Sequence, residues 1–155
     1  MKRFMDRVNK CLKWAIIIAM VVMLFVIFIQ VIFRYVFQNS LTFSEELARY
    51  LFVYIVFFGT AVVARENGHI VVGVLSQKLK GKTAKYTKVA AYTSIMVFVT
   101  ILFYHGIKIV TLTSYQLSPA LRIPMSYIYL AIPVAAFVMF CNMLILIIDT
   151  LRSGS

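Results

Sequence analysis

The fold of this chain is decided by the stretch TFSEELARYLFVYIVFFGTAVVARENGH, which runs from Thr42 to His69. It is a long apolar run with charged residues at both ends, and Arg49 is the only charged residue between Leu47 and Ala64. At a rise of about 1.5 Å per residue, such a helix crosses a bilayer hydrocarbon core of about 30 Å. The stretch therefore predicts a transmembrane helix.

The polar residues at the start of this stretch are expected to define its first turn. Thr42 and Glu45 fit a capping box, in which each side chain satisfies a free backbone N–H of the other. Glu45 and Arg49 are four residues apart, so they share a helix face and can form an ion pair. An unpaired Arg inside hydrocarbon costs about 2.5–3.5 kcal/mol. Two interpretations stay open for Arg49: an intrahelical ion pair, or a polar contact with another helix or chain.

The rest of the chain is equally apolar. Hydrophobic residues make up 63% of it and the mean hydropathy is +0.93, which is too apolar for a soluble domain of this size. We predict an all-α membrane protein, with residues 1–155 forming a single membrane domain. Four transmembrane helices are expected, at about 12–34, 44–65, 88–109 and 126–149.

The net charge of +11 indicates how the chain is oriented. Twelve of the 16 Lys and Arg residues precede the first apolar run, separate the second from the third, or follow the fourth. By the positive-inside rule, both termini and the central loop are expected in the cytoplasm, and no nucleic-acid partner is expected. Cys11 and Cys141 then lie near the cytoplasmic side, where thiols stay reduced.

The central loop is expected to contact lipid. Its first part has an apolar stripe with helical spacing, which predicts a short interfacial amphipathic helix at about 69–80 in the cytoplasmic loop. Trp14 is expected at the same membrane boundary. The predicted lipid-interface residues, which would contact phospholipid headgroups, are Trp14, Lys78, Lys80, Lys82 and Lys85.

A second set of polar residues is expected at the opposite boundary. Gln30 and Arg34 lie on one face near the end of the first run, and the short connection that follows lets them reach Glu45 or Glu46. Arg34 extending to a lipid phosphate is an equally good interpretation.

Three features inside the runs predict how the helices pack. A patch of small residues on the second helix lets another helix approach closely; it consists of Gly59, Thr60, Ala61 and Ala64. Pro133 predicts a kink in the fourth helix. Asn142, deeper in that helix, predicts a hydrogen bond to a neighbouring helix.

The ionisable residues lie at the ends of the apolar runs, and this pattern guides the functional interpretation. Coupled transporters typically carry an acid or a histidine at mid-membrane, and a haem carrier needs two inward histidines where only His105 is suitably placed. We therefore expect no enzyme activity, no catalytic, substrate-binding or metal site, and no cofactor. The chain reads as a scaffold or partner subunit. The alternatives are a self-contained small oligomeric transporter and the membrane anchor subunit of a redox enzyme.

Two segments of the chain resemble the small membrane subunit of TRAP transporters, the DctQ-like family. The first is FRYVFQNSLTFSEELARYLFVYIVFFGTAVVARENGHIVV, residues 33–72, and the second covers residues 118–133. The matching features of the first are Arg34-Tyr35, Glu45-Glu46-Leu-Ala-Arg49, Gly59 and Arg65 to His69. Gly73 departs from the pattern, because many members carry an acidic residue there.

The resemblance implies a role in sodium symport of an organic acid, such as sialic acid or a four-carbon dicarboxylate, across the bacterial inner membrane. In that family a large permease subunit carries the substrate and sodium sites and moves as an elevator. The small subunit forms a heterodimer with it and enlarges its fixed scaffold, and a periplasmic substrate-binding protein docks on the outer face. By this resemblance, the residues at the outer boundary that contact the large subunit would be Arg34, Glu45, Glu46 and Arg49.

Overall fold

The computed structural model describes residues 2–38, 41–66 and 82–152, and these segments are helical apart from short connections. Four helices are long and apolar enough to cross a membrane, which confirms the predicted fold class. The predicted interfacial helix at 69–80 lies outside the described residues, as do Lys78, Lys80 and the side chains of Lys82 and Lys85. The helices are α1 (Lys2–Tyr35), α2 (Thr42–Glu66), α3 (Lys82–Leu112), α4 (Met125–Tyr129) and α5 (Ala131–Arg152).

The basic N-terminal segment is part of the first transmembrane helix. α1 contains neither Gly nor Pro and runs for 34 residues without interruption. Met5 and Asn9, on its first turns, are buried. After α1 the chain turns toward α2, and Gln38 adopts a left-handed conformation with φ of 50°. One helix therefore carries both the basic segment and the first membrane crossing.

The long helices pack in a row. α1 packs on α2, α2 packs on α5, and α5 packs on α3, whereas α1 and α5 touch only weakly. Half of the residues in the most apolar window of α5 are buried, against none in that of α1. The last helix is therefore the centre of the structure, and α1 is an edge that presents apolar side chains on most of its surface.

The interior is built from two clusters of buried side chains. Tyr92 of α3 and Met143 of α5 are each about 1% exposed and pack together with Leu146. A second cluster joins α1, α2 and α5 through Met5, Ala61, Ala135, Val138 and Ile145. Because lipid offers no hydrophobic drive for helix association, small residues such as these alanines stabilise the contact by letting backbones come close.

Near Pro133, where a kink is predicted, the last span is interrupted at Leu130, which keeps helical dihedral angles. α4 ends at Tyr129, and α5 begins at Ala131. Proline has no backbone N–H, so Pro133 cannot donate the helical hydrogen bond to the carbonyl of Tyr129. The proline ring packs on α3, where a Cβ added to the buried Gly106 would lie 3.1 Å from both Ile132 Cγ2 and Pro133 Cδ. Gly106 is thus a point of close approach between α3 and α5.

The predicted patch of small residues on α2 divides between two faces. Ala61 is 1% exposed and lies in the core, and Ala64 packs against the cluster around Tyr92. Gly59 does not contact another helix, because a Cβ added there would meet nothing within 4 Å. For Gly59 the expected close approach therefore does not occur within the described chain.

Candidate functional site

A folded loop of residues 113–124 connects α3 to α4. An isolated antiparallel bridge joins Leu117 to Pro124. Within it, the Ser118 N–H donates to the Ile123 carbonyl at 2.9 Å, and the Arg122 N–H donates to the Ser118 carbonyl at 3.1 Å. Arg122 has φ of 53°, which closes the turn in a left-handed conformation. Along the helix axes, the bundle has two ends. We call the one that carries this loop the loop end, and the opposite one, which carries the start of α1 and the end of α5, the terminal end.

Glu46 of α2 holds this loop. One carboxylate oxygen accepts from the backbone N–H groups of Ala120 at 2.8 Å and Leu121 at 2.9 Å. The other oxygen accepts from the hydroxyl of Tyr50. The Glu46 side chain is about 9% exposed, so a nearly buried carboxylate has three donors. Bonds to an ionised acceptor are stronger than neutral ones, and this carboxylate therefore fixes the loop on α2.

Two tyrosines extend the contact along α2. The Tyr50 hydroxyl also lies 3.6 Å from the sulfur of Met125, at the start of α4. One turn further, the Tyr54 hydroxyl donates to the backbone carbonyl of Tyr127. The start of the last transmembrane segment, α4, is thus hydrogen-bonded to the side of α2.

A cleft of about 410 Å³ opens beside the Glu46 contact. Glu46, Arg49 and Tyr50 form its polar side, and the apolar side comes from the loop and α4. Arg49 is exposed and makes no ion pair or hydrogen bond with the residues that the structure describes. The cleft therefore holds one cation, Arg49, that can pair with an anionic group, beside the two carboxylates of Glu45 and Glu46, which already accept hydrogen bonds. The lining residues are Thr42, Glu45, Glu46, Arg49, Tyr50, Val53, Pro119, Ala120, Met125, Ile128 and Tyr129.

One of the contacts expected at this boundary forms. The Glu45 carboxylate accepts from Gln30 Nε2 at 2.9 Å, which confirms the predicted contact of Gln30 across the α1–α2 connection. Arg34 is exposed and makes no ion pair with the described residues. The pairing of Glu45 with Arg49 is wrong for this structure, and so is that of Arg34 with either Glu45 or Glu46. The hydrogen-bond donors to Glu46 from outside α2 are instead backbone amides of the loop.

The terminal end has a polar contact of its own. Asn142 of α5 is fully buried and exchanges two hydrogen bonds with Asn9 of α1, at 2.9 and 3.0 Å. Asn142 Nδ2 also donates to the Ala61 carbonyl of α2 at 3.0 Å, and Asn9 Nδ2 donates to the Met5 carbonyl at 2.8 Å. The predicted hydrogen bond of Asn142 to another helix is confirmed. Such interhelical bonds contribute about 0.6 kcal/mol each on average, up to about 1.7.

The same end carries an ion pair between Arg65 of α2 and Asp6 of α1, at 2.8 Å. Sequence reasoning missed both Asp6 and Asn9, because they stand in a segment that reads as a basic lead-in. Their spacing is the signal that was available: Met5, Asn9 and Leu12 share one helix face. Trp14 is 60% exposed, just beyond this contact.

Four apolar spans tied together by polar side chains near both ends define a multi-pass membrane subunit. The family model for the DctQ component of tripartite ATP-independent periplasmic (TRAP) transporters matches residues 23–153. The chain therefore belongs to this family. It is a small permease component of a transporter and not an enzyme, and membership implies partnership with a large permease subunit.

Similar proteins come from Haemophilus influenzae. A protein of strain Rd, provisionally named a TRAP transporter small permease protein, is 29% identical over 95% of this chain and 89% of its own length. The sialic acid TRAP transporter permease protein SiaT is 31% identical over 87% of this chain, a match that covers 22% of SiaT. The family assignment removes the two alternatives, a self-contained transporter and a redox anchor.

Proposed function

We propose that this small permease subunit is a scaffold for the large, elevator-type subunit in sodium-driven uptake of an organic acid. The observation that carries the proposal is that acidic side chains form contacts between parts of this chain. Glu46 holds the 113–124 loop, Glu45 accepts from Gln30, and Asp6 pairs with Arg65. Each of these carboxylates is used to join parts of the fold, as expected of a rigid support.

The proposed arrangement is a heterodimer with the large permease subunit. The match to SiaT supports this, because there a segment similar to this chain is part of a much longer permease protein. A sialic acid or a four-carbon dicarboxylate is the proposed substrate class, and the name of that relative favours sialic acid. Substrate and sodium would bind in the large subunit.

We place both termini in the cytoplasm of a bacterium, with the chain in its inner membrane and the loop end at the periplasm. The positive-inside rule supports this orientation. A periplasmic substrate-binding protein would then dock near the 113–124 loop, where Tyr115 is 95% and Leu117 61% exposed. Phospholipid headgroups would contact the opposite boundary through Trp14, Lys78, Lys80, Lys82 and Lys85.

Arg34, Glu45, Glu46 and Arg49 are proposed to support the contact with the large subunit in different ways. Glu46 would act indirectly, by holding the loop in one shape against α2. Arg34 and Arg49 remain exposed at the loop end and would contact the partner directly. Glu45 would keep the end of α1 beside α2 through Gln30.

The test is purification of the tagged chain from its native membranes in mild detergent, followed by mass spectrometry and uptake assays in liposomes. We expect one large multi-pass protein in equal amount. Sodium-dependent uptake of the substrate should require the large subunit and the binding protein together with this chain. Solute transport by the purified chain alone, or equal uptake when the chain is left out, would overturn the scaffold proposal.

A further inference from the structure

One face of α2 is left uncovered by the rest of the described chain. Its exposed and half-exposed positions recur at intervals of three and four residues, so they line one side of the helix. We call this surface the open face of α2. It consists of Glu45, Arg49, Phe52, Val56, Gly59, Thr60 and Val63.

Near the loop end, the open face carries Arg49, a cation that forms no ion pair with the residues that the structure describes. Arg49 lies seven residues inside α2, about 10 Å along the helix axis. The chain has only five acidic residues, and three of them belong to the terminal end. The other two, Glu45 and Glu46, are bonded to Gln30 and to the 113–124 loop. Both carboxylates thus already bond parts of this fold, and Arg49 is left without an ion-pair partner among the described residues.

Deeper in the membrane, the same face carries a glycine without a neighbour. Gly59 lies ten residues beyond Arg49, about 15 Å along the helix. A Cβ added at Gly59 would meet nothing within 4 Å, whereas one added at Gly106 would press on Ile132 and Pro133. Glycine is unfavourable inside a helix unless something uses the space. At Gly106 the space is filled by α5, which packs against the glycine. At Gly59 no described residue fills the space.

The side chains around Gly59 differ from those of a surface fully covered by lipid. Val56, Thr60 and Val63 are short, and they leave the backbone of α2 accessible. The exposed surface of α1, by contrast, bears long side chains such as Phe25 and Phe28. Short residues around a glycine are typical of helix–helix contacts in membranes.

We infer that the open face of α2 binds a transmembrane helix of the large permease subunit. That helix carries an acidic side chain that enters the cleft and pairs with Arg49, and its backbone approaches α2 at Gly59. This inference rests on the proposed heterodimer and adds which surface forms it. A phospholipid phosphate would satisfy Arg49 but would have no use for the space at Gly59, so a helix accounts for both observations.

The experiment places a photo-crosslinking amino acid, benzoylphenylalanine, at Phe52 in one variant and at Phe98 in another. Both are aromatic and exposed, by 56% and 62%, but Phe98 lies on α3. The chain is co-expressed with its large subunit and irradiated in the membrane. A covalent adduct with the large subunit from Phe52 and not from Phe98 is expected. Adducts with lipid alone at Phe52, or equal adducts from both positions, would overturn the inference.

A second measurement separates this inference from the proposed function. We expect Gly59→Leu and Arg49→Gln each to reduce the co-purified large subunit several-fold. The controls Thr93→Leu and Lys108→Gln, at exposed positions on α3, should leave it unchanged. Equal recovery in all four variants would reject the open face while leaving the heterodimer intact. No large subunit even with the unaltered chain would reject both.

Discussion

Glu46 shows how one side chain shapes a loop in this protein. Sequence reasoning placed the residue at the membrane boundary and offered Gln30 or Arg34 as its partner, with a lipid phosphate as the alternative contact of Arg34. The donors are instead the backbone amides of Ala120 and Leu121 together with Tyr50. A backbone donor leaves no trace in residue types, so a search for opposite charges could not find it.

Replacing Glu46 should therefore release the 113–124 loop. In Glu46→Gln, a single amide oxygen replaces two charged acceptors, and it cannot serve both loop amides and Tyr50. We expect the amides of Ala120 and Leu121 to exchange with deuterium about tenfold faster or more, because bonds to an ionised acceptor are lost. Hydrogen exchange of the purified chain measures this.

Glu45→Gln is the control for this prediction. Glu45 lies next to Glu46 but bonds to Gln30, on the other side of α2. Its replacement should leave the exchange of the loop amides as it is. If both variants protect those amides as well as the native chain does, Glu46 does not hold the loop.

At the scale of the helices, the existence of the four spans could be predicted and their arrangement could not. Each apolar run is long enough to cross a bilayer, and lipid enforces a helix, so number and type follow from composition. The order in which the helices pack does not follow from composition, because apolar residues surround all four helices and no periodicity marks an inner face. The contact of Asn9 with Asn142 spans 133 positions and depends on α1 continuing unbroken into the basic segment.

The two described glycines of the transmembrane helices should respond oppositely to alanine. At Gly106 the new methyl group would lie 3.1 Å from Ile132 Cγ2 and Pro133 Cδ and 3.2 Å from the Pro133 backbone nitrogen, which cannot move aside. Gly106→Ala should cost about 1–3 kcal/mol of unfolding free energy. Gly59→Ala should be neutral or stabilise the isolated chain by up to about 1 kcal/mol.

Thermal or detergent unfolding of the two purified variants compares these effects directly. The order of the two stabilities matters more than their absolute values. Equal stability of the two variants would mean that the close approach of α3 to α5 at Gly106 is not tight in the membrane.

For the whole molecule, the orientation predicted from charge can be checked with the native thiol on α1. Cys11 is exposed near the terminal end, and Tyr115, at the loop end, is 95% exposed. In a Cys141→Ser background, a membrane-impermeant maleimide should label Cys11 in inside-out vesicles and not in intact spheroplasts.

The matched variant carries Tyr115→Cys together with Cys11→Ser and should give the reverse pattern, because its thiol would face the periplasm. Labelling of Cys11 from the outside of intact cells would contradict the positive-inside assignment.

The packing order of the helices has a consequence for how the protein folds during its synthesis. The most buried helix, α5, is synthesised after the other described helices. Until it enters the membrane, α3 lacks its main neighbour and Asn9 lacks the amide of Asn142. Until then, the earlier helices stay in the bilayer without the helix contacts and hydrogen bonds that α5 provides. The fold of the described helices thus cannot be completed before α5 is made, so a nascent chain that stops before α5 leaves a product that cellular quality control can recognise as unfinished.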